Sequence, residues 1–136
     1  MLSCVVNENQ NFRVSLIGIV DDDAAMREAV ASLLRSVGFK VESFSSGEEF
    51  LKSPLLNETD CLILDVRMPG VGGMELQLRL RSMGIRIPII FVTAHGTREL
   101  EVRAMNAGAV AFLIKPFSGE SLLQAISRSL KRSIHA

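Results

Sequence analysis

Leu16-Ile17-Gly18-Ile19-Val20-Asp21-Asp22-Asp23 runs from apolar residues straight into three carboxylates. Met26, Ala29, Val30, Leu33, Leu34 and Val37 follow it at helical spacing, up to Gly38. A short apolar run of this kind reads as a buried strand, and an apolar stripe recurring every three or four residues reads as a helix facing a core. Gly38 supplies the left-handed stop. Phe39 to Phe44 then turns apolar again, interrupted by Lys40 and Glu42. Strand, helix, strand in so short a span predicts a parallel pair joined by a right-handed crossover.

The pattern repeats outward from this unit. Further apolar runs occur at Cys61 to Leu64, Ile89 to Val92 and Ala109 to Ile114, giving five strands in all. Ser46 and Glu49 have capping-box spacing, Gly84 and Gly108 end two more segments, and Ser118 stands ready to cap a last helix carrying Leu122, Ile126 and Leu130. One segment is ambiguous, because Met74, Leu76, Leu78 and Leu80 alternate with polar residues as a half-exposed strand would. Leu76, Leu80 and Met83 also fit i, i+4, i+7, and the Glu, Gln, Arg and Leu content favours a helix. The first, third and fourth runs are apolar almost throughout, as strands covered on both faces are, whereas Lys40 and Glu42 mark the second as an edge strand. The prediction is an α/β fold with an open, doubly wound parallel sheet. In such sheets functional groups gather beyond the carboxyl ends of the strands.

Composition narrows the function. A chain of 136 residues, 48% hydrophobic, is enough for one well-buried domain. We expect a leader over residues 1–14, the domain over 15–133 and a short tail over 134–136. Lys and Arg number 15 against 15 Asp and Glu, so the broad positive field that favours direct nucleic-acid binding is missing. The segment Met1 to Val6 is too short and lacks the basic start of a signal peptide or the length of a membrane span. Cys4 lies in the leader and Cys61 in a buried run, which suggests no disulfide framework and fits a reducing cytoplasm.

The strand ends carry the chemistry. Run one ends in Asp21, Asp22 and Asp23, run three in Asp65, run four in Thr93 and run five in Lys115. Carboxylates sharing one site repel unless a cation neutralises them, and an oxygen-only ligand set with a hydroxyl and an amine nearby suits Mg2+. The same ion, with the Lys115 ammonium and the Thr93 hydroxyl, can spread over the oxygens of a transferring phosphoryl group. One carboxylate is then the nucleophile. Asp23 on its own is better read as the cap of the first helix. Thr93 and Lys115 taken singly are an ordinary turn residue and a solvated lysine; four strand ends together are a site.

Ile19 to Asp23, Leu62-Ile63-Leu64-Asp65-Val66-Arg67-Met68-Pro69-Gly70 with Gly73, Phe91-Val92-Thr93-Ala94-His95-Gly96 and Ala107 to Phe117 resemble the motifs of receiver domains of bacterial two-component response regulators, over essentially Leu16 to Arg132. The resemblance implies a flavodoxin-like (βα)5 sheet in strand order 2-1-3-4-5. It implies phosphorylation of Asp65 by the phosphohistidine of a sensor histidine kinase or histidine phosphotransfer protein. Mg2+ would be held by Asp22, Asp65, Asp21 through water and the Arg67 backbone carbonyl. Lys115, before a cis proline, would grip the phosphoryl group, and Thr93 and Phe112 would be the switch pair. Such a domain catalyses only its own phosphorylation and dephosphorylation. Arg67, His95-Gly96 and the Ala-Gly-Ala-Val run look most like the nitrogen-fixation and nodulation regulator branch, whose members usually carry a helix-turn-helix output domain. A stand-alone receiver and a piece of a longer regulator both remain open. Arg67 and His95, two residues past Asp65 and Thr93, are expected to set the lifetime of the phosphoryl group. The surface of the fourth helix, fifth strand and last helix is the expected output face, for a phosphorylation-dependent homodimer or a separate partner.

Three competitors fare worse on the residues. A haloacid-dehalogenase-type phosphatase resembles Asp-x-Asp at the nucleophile, and Arg67 stands in the second aspartate's place. A pseudo-receiver that only binds partners typically lacks an acidic or lysine position, and here all are filled. A nucleotide-binding flavodoxin-like protein needs a glycine-rich loop where Asp21 to Asp23 stand.

Overall fold

Leu16–Val20, the strand β1, is buried at every residue, which is what a Leu-Ile-Gly-Ile-Val run achieves only when covered on both faces. The computed structural model describes residues 14–135, so the expected leader up to Arg13, with Cys4, and the end of the tail at Ala136 lie outside the described residues. After β1 come β2 (Lys40–Phe44), β3 (Cys61–Asp65), β4 (Ile89–Thr93) and β5 (Ala111–Ile114). They form one parallel sheet in the order β2-β1-β3-β4-β5, the expected doubly wound arrangement. Like β1, β3 and β4 are buried throughout, while β2 at the edge exposes Lys40, Glu42 and Ser43.

The helices are α1 (Ala24–Ser36), α2 (Gly47–Leu51), α3 (Gly73–Ser82), α4 (Arg98–Asn106) and α5 (Gly119–His135), with a single 3-10 turn at Leu56–Glu58 among the described residues. On one face of the sheet, Ile17, Ile19, Ile63 and Val92 pack with Val30 and Leu34 of α1 and Leu122 and Ile126 of α5. On the other, Val20, Leu62, Leu64 and Phe91 pack with Phe50, Leu76, Leu80 and Ala104. Each such Val, Leu, Ile or Phe side chain taken fully out of water contributes roughly 1.5–3 kcal/mol. Burial also settles the ambiguous segment: Leu76 and Leu80 are 0% and 1% exposed while Leu78 is 61% exposed, the i, i+4 pattern of the helix α3.

Local signals behave largely as the sequence implies. The Asp23 carboxylate accepts from the Met26 N–H at the start of α1, and the Ser118 hydroxyl accepts from the Ser121 N–H at the start of α5. The capping box departs by one residue. Ser46 Oγ accepts from the Glu49 N–H, but Glu49 Oε1 accepts from the N–H of Ser45 at 2.6 Å instead of from Ser46. Two strands also start later than their apolar runs. The N–H of Phe39 bonds the Leu34 carbonyl and that of Ala109 bonds the Ala104 carbonyl, so both residues still close the preceding helix. In each case a glycine with positive φ, Gly38 or Gly108, stands just before, completing a Schellman ending.

Candidate functional site

β1 and β3 are adjacent, so their carboxyl ends bring Asp21 and Asp22 beside Asp65. Ligand oxygens of Asp21, Asp22 and Asp65 lie within 4.8 Å of one another. Asp21 and Asp65 are buried, at 1% and 6% exposure, and Asp22 faces solvent. The Asp21 carboxylate accepts from the Asp23 N–H through Oδ1 and from Lys115 Nζ through Oδ2, both at 2.9 Å. Lys115 arrives from beyond β5 on a cis Lys115-Pro116 bond and stands 3.6 Å from Asp65 Oδ2.

Burial is the first reason the Asp65 carboxyl is pushed up to about 6; the Arg67 N–H pulls it down, and the neighbouring Asp21 adds to the rise. For Lys115, burial opposes the charge, yet its bond to Asp21 and the charges of Asp21, Asp65 and Asp23 outweigh that, so the ammonium is held above the usual lysine value. Three carboxylates face one ammonium, and all the clustered donors are oxygens. That set fits a hard divalent cation such as Mg2+.

The two loop residues Arg67 and His95 play matching backbone roles. The Arg67 N–H donates to Asp65 Oδ1 at 3.1 Å and the His95 N–H donates to Thr93 Oγ1 at 3.2 Å, each a turn closed by the side chain two residues earlier. Their own side chains are exposed. Thr93 is 1% exposed and follows Val92, the β4 partner of Asp65. Phe112 stands apart from the acids. It is half-buried against the core that holds Phe91 and Ala104, two residues before Ile114, the register partner of Thr93, so Thr93 and Phe112 share one face of the sheet.

Gly73 is required by space: a Cβ there would overlap the Asp65 carbonyl oxygen, and without one the start of α3 packs directly under the end of β3. Arg27 is a site residue that the sequence does not signal. Its Nη1 donates to the Asp21 backbone carbonyl at 2.7 Å, fixing the acidic loop to α1. A lone arginine four residues past a cap has no sequence signature that separates it from a solvated one.

This geometry has known counterparts. Residues 17–127 match the family model described as the response regulator receiver domain. The chain is 50% identical over 119 residues to response regulator protein TodT of Pseudomonas putida, covering 88% of this chain and 52% of that protein. It is 45% identical over 118 residues to nodulation protein W of Bradyrhizobium diazoefficiens, covering 87% and 52%. Among solved structures, it resembles the response regulator StyR with a TM-score of 0.83 and 45% identity, over 90% of this chain and 62% of that one. FixJ-N gives a TM-score of 0.79 and 36% identity, over 88% and 96%. The chain thus spans about half the length of the curated relatives it matches.

Proposed function

The chain belongs to the response regulator receiver domain family, and from that membership we propose that Asp65 is its phosphoacceptor, served by a sensor histidine kinase or a histidine phosphotransfer protein. An Asp65 carboxylate oxygen forms the new O–P bond as the N–P bond of the donor's phosphohistidine breaks, and the donor leaves with a free imidazole. Asp21, Asp22, Asp65 and the Arg67 backbone carbonyl would hold Mg2+, which when bound neutralises charge on the phosphoryl oxygens. Lys115, 3.6 Å from Asp65 Oδ2, contributes a second positive charge. Thr93, already hydrogen-bonding through its hydroxyl at the end of β4, is placed to turn that hydroxyl toward the new phosphoryl group.

The observation that carries this reading is the meeting of Asp21, Asp22 and Asp65 within 4.8 Å, with Lys115 3.6 Å from Asp65. Its consequence is an enzyme-like step performed only on the domain itself, in phosphorylation and in dephosphorylation. A cytoplasmic setting suits it: Cys61 is free and buried, and among the described residues no helix is long and apolar enough to cross a membrane. The output surface is α4, β5 and α5, where Val102, Met105 and Ile114 are exposed.

Incubation with a small acyl phosphate and Mg2+ tests the assignment. Intact-mass spectrometry is expected to show one phosphoryl adduct, absent in Asp65→Asn and absent in excess chelator. Equal labelling of Asp65→Asn would place the phosphoacceptor elsewhere.

A further inference from the structure

At the other end of the sheet, where β4 and β5 begin, a cleft of about 460 Å³ opens between the α3–β4 and α4–β5 connections. Its volume falls within the range of small-molecule sites. Leu80, Ile85, Ile87, Ile89 and Val110 give it an apolar lining, and Arg81 and Arg86 give it positive charge. No carboxylate lines it. Neither arginine has an ion-pair partner among the described residues.

Gln77, which also lines the cleft, is 4% exposed. Its Nε2 donates to the Ala107 carbonyl at 3.2 Å, and because a carbonyl only accepts, that bond fixes which way the amide points. Its Oε1 is buried and has no hydrogen-bond partner among the described residues. Arg81 Nη1 donates to the same Ala107 carbonyl at 2.8 Å, and the two lone pairs of that oxygen accept both bonds. Because Arg81 also holds that carbonyl, exchanging the Gln77–Ala107 bond for one between Oε1 and a ligand's donor would still leave the carbonyl satisfied. An acceptor without a donor, two guanidiniums without a carboxylate partner among the described residues and an aliphatic floor together define a ligand by its chemistry.

We propose that this cleft binds a small apolar carboxylate that also carries an N–H or O–H donor. The donor meets Gln77 Oε1, the carboxylate meets Arg86 and Arg81, and the apolar body lies on Ile85, Ile87 and Val110. This site is remote from the acid cluster and does not depend on phosphorylation.

Three probes separate these contributions when titrated into the 15N-labelled full chain and followed by amide chemical shifts. N-acetyl-L-leucine has donor, carboxylate and isobutyl group; 4-methylpentanoate lacks the donor; N-acetyl-L-leucinamide lacks the carboxylate. The first is expected to shift the Gln77 side-chain amide and the backbone amides of Ile89 and Val110 saturably, and the other two to bind about tenfold more weakly, the scale of one polar contact. Arg86→Ala, at an exposed connection, is expected to weaken N-acetyl-L-leucine about tenfold and leave N-acetyl-L-leucinamide unchanged. Gln77→Met is expected to abolish the difference between N-acetyl-L-leucine and 4-methylpentanoate. The absence of saturable shifts at these amides would overturn the proposal, and so would equal affinity for all three probes or indifference to Arg86→Ala.

Discussion

Lys115 Nζ stands 2.9 Å from Asp21 Oδ2 but 3.6 Å from Asp65 Oδ2, so the ammonium is bonded to Asp21 and only approaches Asp65, the proposed phosphoacceptor. That placement leaves Asp65 Oδ2 without a direct lysine hydrogen bond while keeping the positive charge close enough to meet the incoming phosphoryl oxygen of the proposed reaction. Lys115→Met keeps most of the stem and removes the charge. Phosphorylation of this variant by a small acyl phosphate is expected to slow by about a hundredfold, the scale of losing one preorganised charge contact, with magnesium affinity altered far less. Wild-type labelling rates in Lys115→Met would remove Lys115 from the chemistry.

The raised pKa of Asp65 makes a prediction about stability. In the fold its carboxyl is pushed up to about 6 from an ordinary value of 3.8, first by burial. The folded state thus favours the protonated form, so the contribution is fully present below pH 3.8 and is lost as pH rises through about 6. In chelator, wild type is expected to lose stability across that window relative to Asp65→Asn, whose amide does not titrate. At pH near 7.5 the variant should be the more stable by about 2 kcal/mol, read from urea unfolding, and adding Mg2+ should narrow the gap by favouring the ionised wild type. A pH profile identical in the two proteins would contradict the buried, unneutralised carboxylate.

Both of these rest on residues legible in the sequence itself, and the reason is physical. Strand ends in a parallel sheet converge, so Asp21, Asp22, Asp65, Thr93 and Lys115 announce a site through position alone. The fold is equally readable, since β1, β3 and β4 have to be apolar throughout to be covered on both sides. What stays hidden depends on partners distant in sequence or on choices between close alternatives. Arg27 and Gln77 have the pattern of solvated helix residues, and only their bonds to the carbonyls of Asp21 and Ala107 distinguish them. Glu49 reaches Ser45 and not Ser46, a difference of one residue that no spacing rule resolves. The Met74 to Leu80 alternation fits two periods, and only packing against β3 and β4 selects one.

Arg67 and His95 fix the turns at Asp65 and Thr93 through their backbone N–H groups and leave their side chains in solvent. Substitution of either side chain therefore spares the turn and, on the proposed function, is expected to alter the approach of water to the acyl phosphate. Arg67→Ala and His95→Ala are each expected to change the autodephosphorylation rate by about tenfold, or ~1.4 kcal/mol of barrier, with thermal unfolding unchanged. Decay measured by loss of the phosphoryl adduct is the check; identical half-lives in all three proteins would dissociate these positions from lifetime.

The proposed output face is the remaining link, and its residues divide sharply. Ala104 of α4 is buried against the sheet and Ala111 is buried within β5, whereas Val102, Met105 and Ile114 are 46%, 42% and 51% exposed. Ile114 is the register partner of Thr93, and a Cβ placed on Gly96 would press on both Ile114 and Phe112. An inward turn of Thr93 toward a phosphoryl group is expected to reach this apolar surface through Ile114 and the half-buried Phe112. On the proposed function, phosphorylation is expected to bias this packed cluster toward a second arrangement, changing the exposed face without a change of fold. Sedimentation with Mg2+ and a beryllofluoride phosphate mimic is expected to show a dimer, with monomer in the absence of the mimic. Met105→Glu, at an exposed position, is expected to keep the protein monomeric in both conditions while leaving Asp65 phosphorylation intact. A wild-type monomer at high concentration with the mimic bound would exclude self-association and assign the face to a separate output partner.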